Sequence, residues 1–152
     1  MTTATAPPDR RPIGFWLKLV DRLIDAGFDR LLGEAGLTRR HWQVLTTLQE
    51  GPATLGELDT AVAPFLDERA PTVRPVLDDL AARGWVAWAA DGRACSTPAG
   101  GAAQAALLAE VSASRRQVAD GITAEEYGAT VAVLRRMAAN LGWVDPANGP
   151  AG

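Results

Sequence analysis

TVRPVLDDLAARGWVAWAADGRACSTPAG, residues 72–100, is the stretch on which the reading of this chain turns. Val73, Val76, Leu77 and Leu80 recur at the spacing of one helical face. Gly84 follows where a helix-ending glycine belongs. A helix capped at Thr72 and running to Arg83 puts Pro75 at the third helical position, where no intrahelical bond is lost. An earlier start would break one and cost about 3 kcal/mol. Beyond Gly84, WVAWA (85–89) and RACST (93–97) flank Asp91-Gly92, a dipeptide that folds two short strands into a hairpin. Thr97-Pro98 then opens another helix, with Thr97 as cap and Pro98 at the position where a missing N–H costs nothing.

Upstream, Thr54-Leu55-Gly56-Glu57 has the spacing of a capping box and opens a helix from Leu55 to about Val62. A helix from Thr38 to Glu50 precedes it, carrying Trp42, Leu45 and Leu48 inward and stopped by Gly51-Pro52. Before that, residues 14–32 form a long helix. Its apolar stripe of Ile13, Trp16, Leu17, Val20, Leu23, Ile24 and Leu31 is widened by Phe15, Leu19 and Phe28. Downstream, the helix from Pro98 continues to about Ala119. A second capping box, Thr123 with Glu126, opens a last helix striped by Tyr127, Val131, Leu134, Met137, Ala138 and Leu141. Residues 1–12 and 144–152, rich in Thr, Ala, Pro and Gly, read as a disordered arm and tail.

The chain is therefore expected to be mainly α-helical. Three short helices and a two-stranded β-hairpin wing make a winged helix-turn-helix, flanked by one N-terminal and two C-terminal helices. The single folded region spans 13–143, with a DNA-binding lobe at 37–97 and dimerisation helices at 13–36 and 98–143. The flanking helices carry more apolar surface than one small lobe can cover, which is the mark of a dimer. In such a lobe the last of the three helices enters the major groove.

Composition narrows the function. The 152 residues are 47% hydrophobic and 22% charged, ordinary for a globular protein. No secretory leader or membrane span is visible, and the lone Cys95 fits a reducing cytoplasm. One His and one Cys make no metal cluster, no phosphate-cradling loop is present, and neither catalysis nor a cofactor is expected. The net charge of −3 is unusual for a nucleic-acid binder. It is unevenly spread. Residues 51–68 hold Glu57, Asp59, Asp67 and Glu68 without a basic partner, whereas in 69–100 Arg69, Arg74, Arg83 and Arg93 outnumber Asp78, Asp79 and Asp91 by one.

The ordered set Leu37-Thr38, Trp42, Val44-Leu45, Leu48, Leu55, Leu58, Thr72-Val73, Leu80, Arg83-Gly84-Trp85-Val86 and Ser96-Thr97-Pro98-Ala99-Gly100 resembles MarR-type regulators, a bacterial family named for multiple antibiotic resistance. The resemblance spans residues 13–141. It implies a homodimer with interlocked first and last helices that binds an inverted-repeat operator in double-stranded DNA. It also implies a repressor released by a small, often aromatic, effector lodged between the two lobes. This chain departs from the family in its short wing, Asp91-Gly92-Arg93, and in the longer acidic segment of residues 64–69.

Thr72 and Arg74, in the first turn of the expected recognition helix, are the candidate base or phosphate contacts, because arginine can hold guanine with two hydrogen bonds. Arg93 at the wing tip and Arg69 before the helix are further candidates. Arg39 and Arg40, which oppose the dipole at the start of the second helix, are candidates for phosphate positioning. Trp16 and Trp42 are the candidate effector-stacking residues. Trp42, Trp85 and Trp88 occupy core-like positions. His41 is expected at a surface or interface, and Cys95 as a small apolar filler. The alternative is a winged-helix protein-interaction dimer that has lost specific DNA binding, as the acidic third helix and short wing suggest.

Overall fold

The computed structural model describes residues 9–148, so the expected disorder at 1–8 and 149–152 lies outside the described residues. The chain divides at residues 39/40 into two packing units.

In the first unit, helix α1 (Ile13–Leu32) exposes Ile13, Phe15, Leu17, Val20 and Leu23, while Phe28 and Leu32 near its end are buried. The helix closes through a 3-10 turn, Gly33–Ala35, and Gly36 at φ 71°, a left-handed conformation that a side chain would strain. The Leu37 N–H returns to the Leu32 carbonyl at 3.1 Å. At the N-terminus, the Arg11 guanidinium pairs with Asp9 and lies 4.2 Å from the centre of the Trp16 ring.

Helix α2 (Arg39–Gln49) leads into the second unit, followed by α3 (Leu55–Ala61) and α4 (Arg74–Ala82). Their inward faces supply Val44, Leu45, Leu48, Leu58, Leu77 and Leu80, which with Val62, Val73 and Val86 form one buried core. Each fully buried leucine contributes about 1.5–3 kcal/mol of transfer free energy. The capping box of α3 is complete, Thr54 and Glu57 each bonding the other's backbone N–H at 3.1 Å.

Gly84, at φ 77°, ends α4 and passes into strand β1 (Val86–Trp88), antiparallel to β2 (Ala94–Ser96) in the register Val86–Ser96, Ala87–Cys95, Trp88–Ala94. Five residues, 89–93, connect the strands, and the Ala89 N–H bonds the Arg93 carbonyl at 2.8 Å to enclose Ala90, Asp91 and Gly92 rather than a bare Asp-Gly turn. The Gly92 N–H bonds the Ala89 carbonyl at 2.9 Å, and Gly92 takes φ 84°. Ala53, between α2 and α3, exchanges both backbone hydrogen bonds with Ala94, adding a one-residue third strand that no periodicity announces.

Helices α5 (Pro98–Val118) and α6 (Ala124–Asn140) complete the second unit. Thr97 caps α5 through the Gly100 N–H and donates its hydroxyl to the Gly84 carbonyl at 2.6 Å. Thr123 and Glu126 form the expected second capping box at α6. No residue of α6 is buried, and Tyr127, Val131, Val133 and Met137 are exposed. The tail expected to be disordered from Val144 instead contains a 3-10 turn, Pro146–Asn148, and an Arg135–Asp145 contact at 3.8 Å.

Gly100 is where the wing and α5 meet. A Cβ there would lie 2.1 Å from the Trp85 carbonyl oxygen, a backbone atom that cannot move aside. Gly100→Ala should lower unfolding free energy by about 1–3 kcal/mol, as overpacking does. Gly101→Ala, whose Cβ meets only the Gln49 side chain at 3.4 Å, should be neutral or stabilising by up to about 1 kcal/mol. Urea denaturation of both variants checks the contrast.

Candidate nucleic-acid interface

The start of α4 is set from outside the helix. Asp59, on α3, accepts the Val73 N–H at 2.8 Å and the Thr72 hydroxyl at 2.9 Å, and the Thr72 oxygen in turn accepts the Arg74 N–H at 3.2 Å. The expected cap at Thr72 is therefore corrected. Val73 is the cap residue and the helix begins at Arg74, with the Val73 N–H held by the α3 carboxylate and the Arg74 N–H by the Thr72 hydroxyl. Pro75 falls in the first turn and breaks no bond. Thr72 is half-buried with its hydroxyl donated to Asp59, which makes it a structural link rather than a free contact.

Arg74 is exposed at the mouth of α4. Its Nε donates to Asp78 at 3.0 Å, and its guanidinium lies 5.3 Å from the centre of the Trp88 ring. Arg93, at the hairpin tip, donates its Nε to Asp91 at 2.8 Å. Arg69 is exposed. Asp67 accepts the backbone N–H groups of Arg69 and Ala70, which folds the acidic segment into a turn.

The pair opening α2 divides. Arg39 bridges Asp21 and Asp25 of α1, both at 2.9 Å, with its side chain only 16% exposed, so its charge is spent inside the first unit. It leaves the candidate surface. Arg40 donates to Gln43 and lies 4.1 Å from the centre of the Phe65 ring. Of the aromatic candidates, Trp42 is 3% exposed and offers no free face for stacking, whereas Trp16 is exposed beneath Arg11. Trp85 is half-buried as expected, but Trp88 is not a core residue: it is 40% exposed. Cys95, half-buried, donates its thiol to the Ala87 carbonyl across the ladder at 3.3 Å.

His41 is buried rather than superficial, and its Nε2 lies 2.9 Å from Asp79, which also accepts Arg83 Nε at 3.1 Å. This polar chain ties α2 to α4. Burial pushes the His41 pKa below its ordinary 6.5, outweighing the opposing pull of Asp79. For Asp79, burial acts upward but the bonds from Arg83 and His41 prevail, holding the carboxyl below its ordinary range.

A core-anchored helix with a solvent-facing arginine in its first turn, beside a β-hairpin carrying another at its tip, defines a winged helix-turn-helix transcription regulator. No family model and no curated protein matches the chain. Solved structures do. A probable transcriptional regulator from Pseudomonas aeruginosa is 30% identical and superposes with a TM-score of 0.67 over 82% of this chain and 96% of its own. A MarR-family regulator from Silicibacter pomeroyi is 25% identical, with a TM-score of 0.67 over 88% and 94%. Bordetella bronchiseptica BpsR, whose DNA binding is regulated by 6-hydroxynicotinic acid, is 23% identical, with a TM-score of 0.70 over 88% and 98%. The chain belongs to the MarR family of winged-helix transcriptional regulators.

The His41 link gives a pH dependence with a definite sign. With its pKa lowered in the fold, His41 takes up a proton more readily when unfolded, so its contribution is complete above pH 6.5 and declines as pH falls toward the folded value. The urea midpoint should be level from pH 8 to 7 and drop as the pH falls below 6.5. A His41→Gln variant should lose that drop, and an unchanged profile would remove the imidazole from the account. Asp79 adds its own loss only below its ordinary 3.8.

Proposed function

We propose that the protein is a homodimeric repressor that binds an inverted-repeat operator and releases it when a small aromatic acid binds. The observation that carries the DNA half is Arg74: it stands in the first exposed turn of α4, with its terminal nitrogens without an acceptor among the described residues. That fork matches the O6 and N7 of guanine. Arg93 reaches for the minor groove or its phosphates from the wing, and Arg69 and Arg40 serve as backbone contacts.

Dimerisation is supported by the exposed apolar faces of α1 and α6, which water does not tolerate at that extent. Two-fold symmetry then matches an operator whose half-sites lie one helical turn apart. For the effector, Trp16 supplies an exposed ring and Arg11 a cation directly over it, a pairing suited to an aromatic carboxylate such as the ligand that acts on BpsR.

A second reading, an interaction dimer without specific DNA binding, draws on one observation. Arg74, Arg83 and Arg93 each hold an aspartate of their own surface. Such exposed pairs are worth only about 0–1 kcal/mol each, so phosphates can displace them.

Duplexes selected by the protein from a randomised pool, titrated over a salt series, decide between the readings. A regulator enriches one sequence and binds it with a negative slope of log affinity against log salt, while an interaction module enriches nothing. Arg74→Ala should cost about 1–3 kcal/mol on the enriched duplex and relax base preference, and Arg93→Ala should weaken all duplexes alike. Light scattering at micromolar concentration should give twice the chain mass. A monomer would end the palindrome argument.

A further inference from the structure

We propose that Trp88, on the wing strand, is a positioning residue that sets the base preference of Arg74; the inference rests on α4 being the reading helix. Strand alternation puts Trp88 on the same face of β1 as Val86. Val86 is buried in the core, and Trp88, two residues on, reaches past the edge of that core and remains 40% exposed. Its cross-strand partner, Ala94, is fully buried and small.

What it meets is Arg74. The guanidinium lies 5.3 Å from the ring centre, within the range of a cation–π contact. Asp78 takes Nε from the adjacent turn of the same helix. The guanidinium is thus flanked by the indole and held at Nε by the carboxylate, and among the described residues neither terminal nitrogen has an acceptor. An unrestrained arginine at 54% side-chain exposure samples many rotamers and contacts any phosphate. A head stacked on a ring keeps the plane that bidentate base recognition requires. Trp88 also pairs with Ala94, which directly follows Arg93, so it joins the reading helix to the wing. The other end of α4 repeats the pairing with a less exposed side chain: Arg83, 29% exposed, lies over Trp85 at 5.5 Å while bonded to Asp79.

The test uses the full chain and the duplex enriched by the wild type, with a set of single-base substitutions in that duplex. Trp88→Leu should weaken binding by about two- to fivefold, the scale of an exposed cation–π contact. The loss should be confined to the base positions that Arg74→Ala also relaxes. Trp88→Phe, which keeps a ring face, should retain the preference, and Trp88→Leu combined with Arg74→Ala should be no worse than Arg74→Ala alone. In the free protein the Arg74 Nε–H resonance should move in Trp88→Leu and much less in Trp88→Phe, a readout independent of DNA. Losses that add in the double variant, or that fall equally on all bases, overturn the proposal. So does a Phe variant as defective as Leu. If the wild type enriches no sequence while the Arg74 resonance responds as expected, it is the reading role of α4 that fails. An unmoved resonance removes the contact itself.

Discussion

One carboxylate decides where the recognition surface begins. Asp59 takes both the Val73 amide and the Thr72 hydroxyl, and so places the first turn of α4 at Arg74 rather than a turn earlier or later. The neighbouring proline accepts that start because its missing N–H lies among the donors that no helix satisfies internally. Everything outward of this clamp follows from it: the exposure of Arg74, its reach to Asp78 one turn on, and its stack on the wing indole. The same bond changes the meaning of the acidic α3. Part of its charge is engaged in holding its neighbour and is not simply repulsion offered to a polyanion.

The arginines of this surface are pre-paired. Arg74, Arg83 and Arg93 are each matched with an aspartate, so a chain of net charge −3 presents arginines here without a broad positive field. Exposed pairs contribute little to stability and exchange partners readily. Their effect is on discrimination. A surface of this kind gains less from non-specific phosphate contact, and each freed aspartate takes back a counterion, so the weight of recognition shifts toward geometry.

The lobe built on α2, α3 and α4 has its core in one chain, with Val44, Leu45, Leu48, Leu58, Leu77 and Leu80 buried and α3 closed by its capping box. Helix α6 has the capping box of a stable helix but no buried residue, and α1 exposes most of its apolar stripe. The Gly100 contact, where α5 passes against the Trp85 carbonyl with no room for a methyl group, carries α5 directly on from the wing.

Periodicity, capping residues and turn glycines determined the order of elements almost to the residue, because these are local effects acting within three or four positions of chain. They also singled out Arg74 and Arg93, since the mouth of a helix and the tip of a hairpin are positions that sequence spacing defines. What a side chain meets across space was decided only by the tertiary structure. Arg39 looked available until two aspartates of α1 closed on it, His41 looked superficial until it was found buried against Asp79, and Trp88 looked like core until the strand carried it past the core's edge. Asp59 carried no signal as a cap, because its partners stand more than a dozen positions away. Side-chain partnership at that range depends on the packing of helices, which no pattern along a single chain encodes.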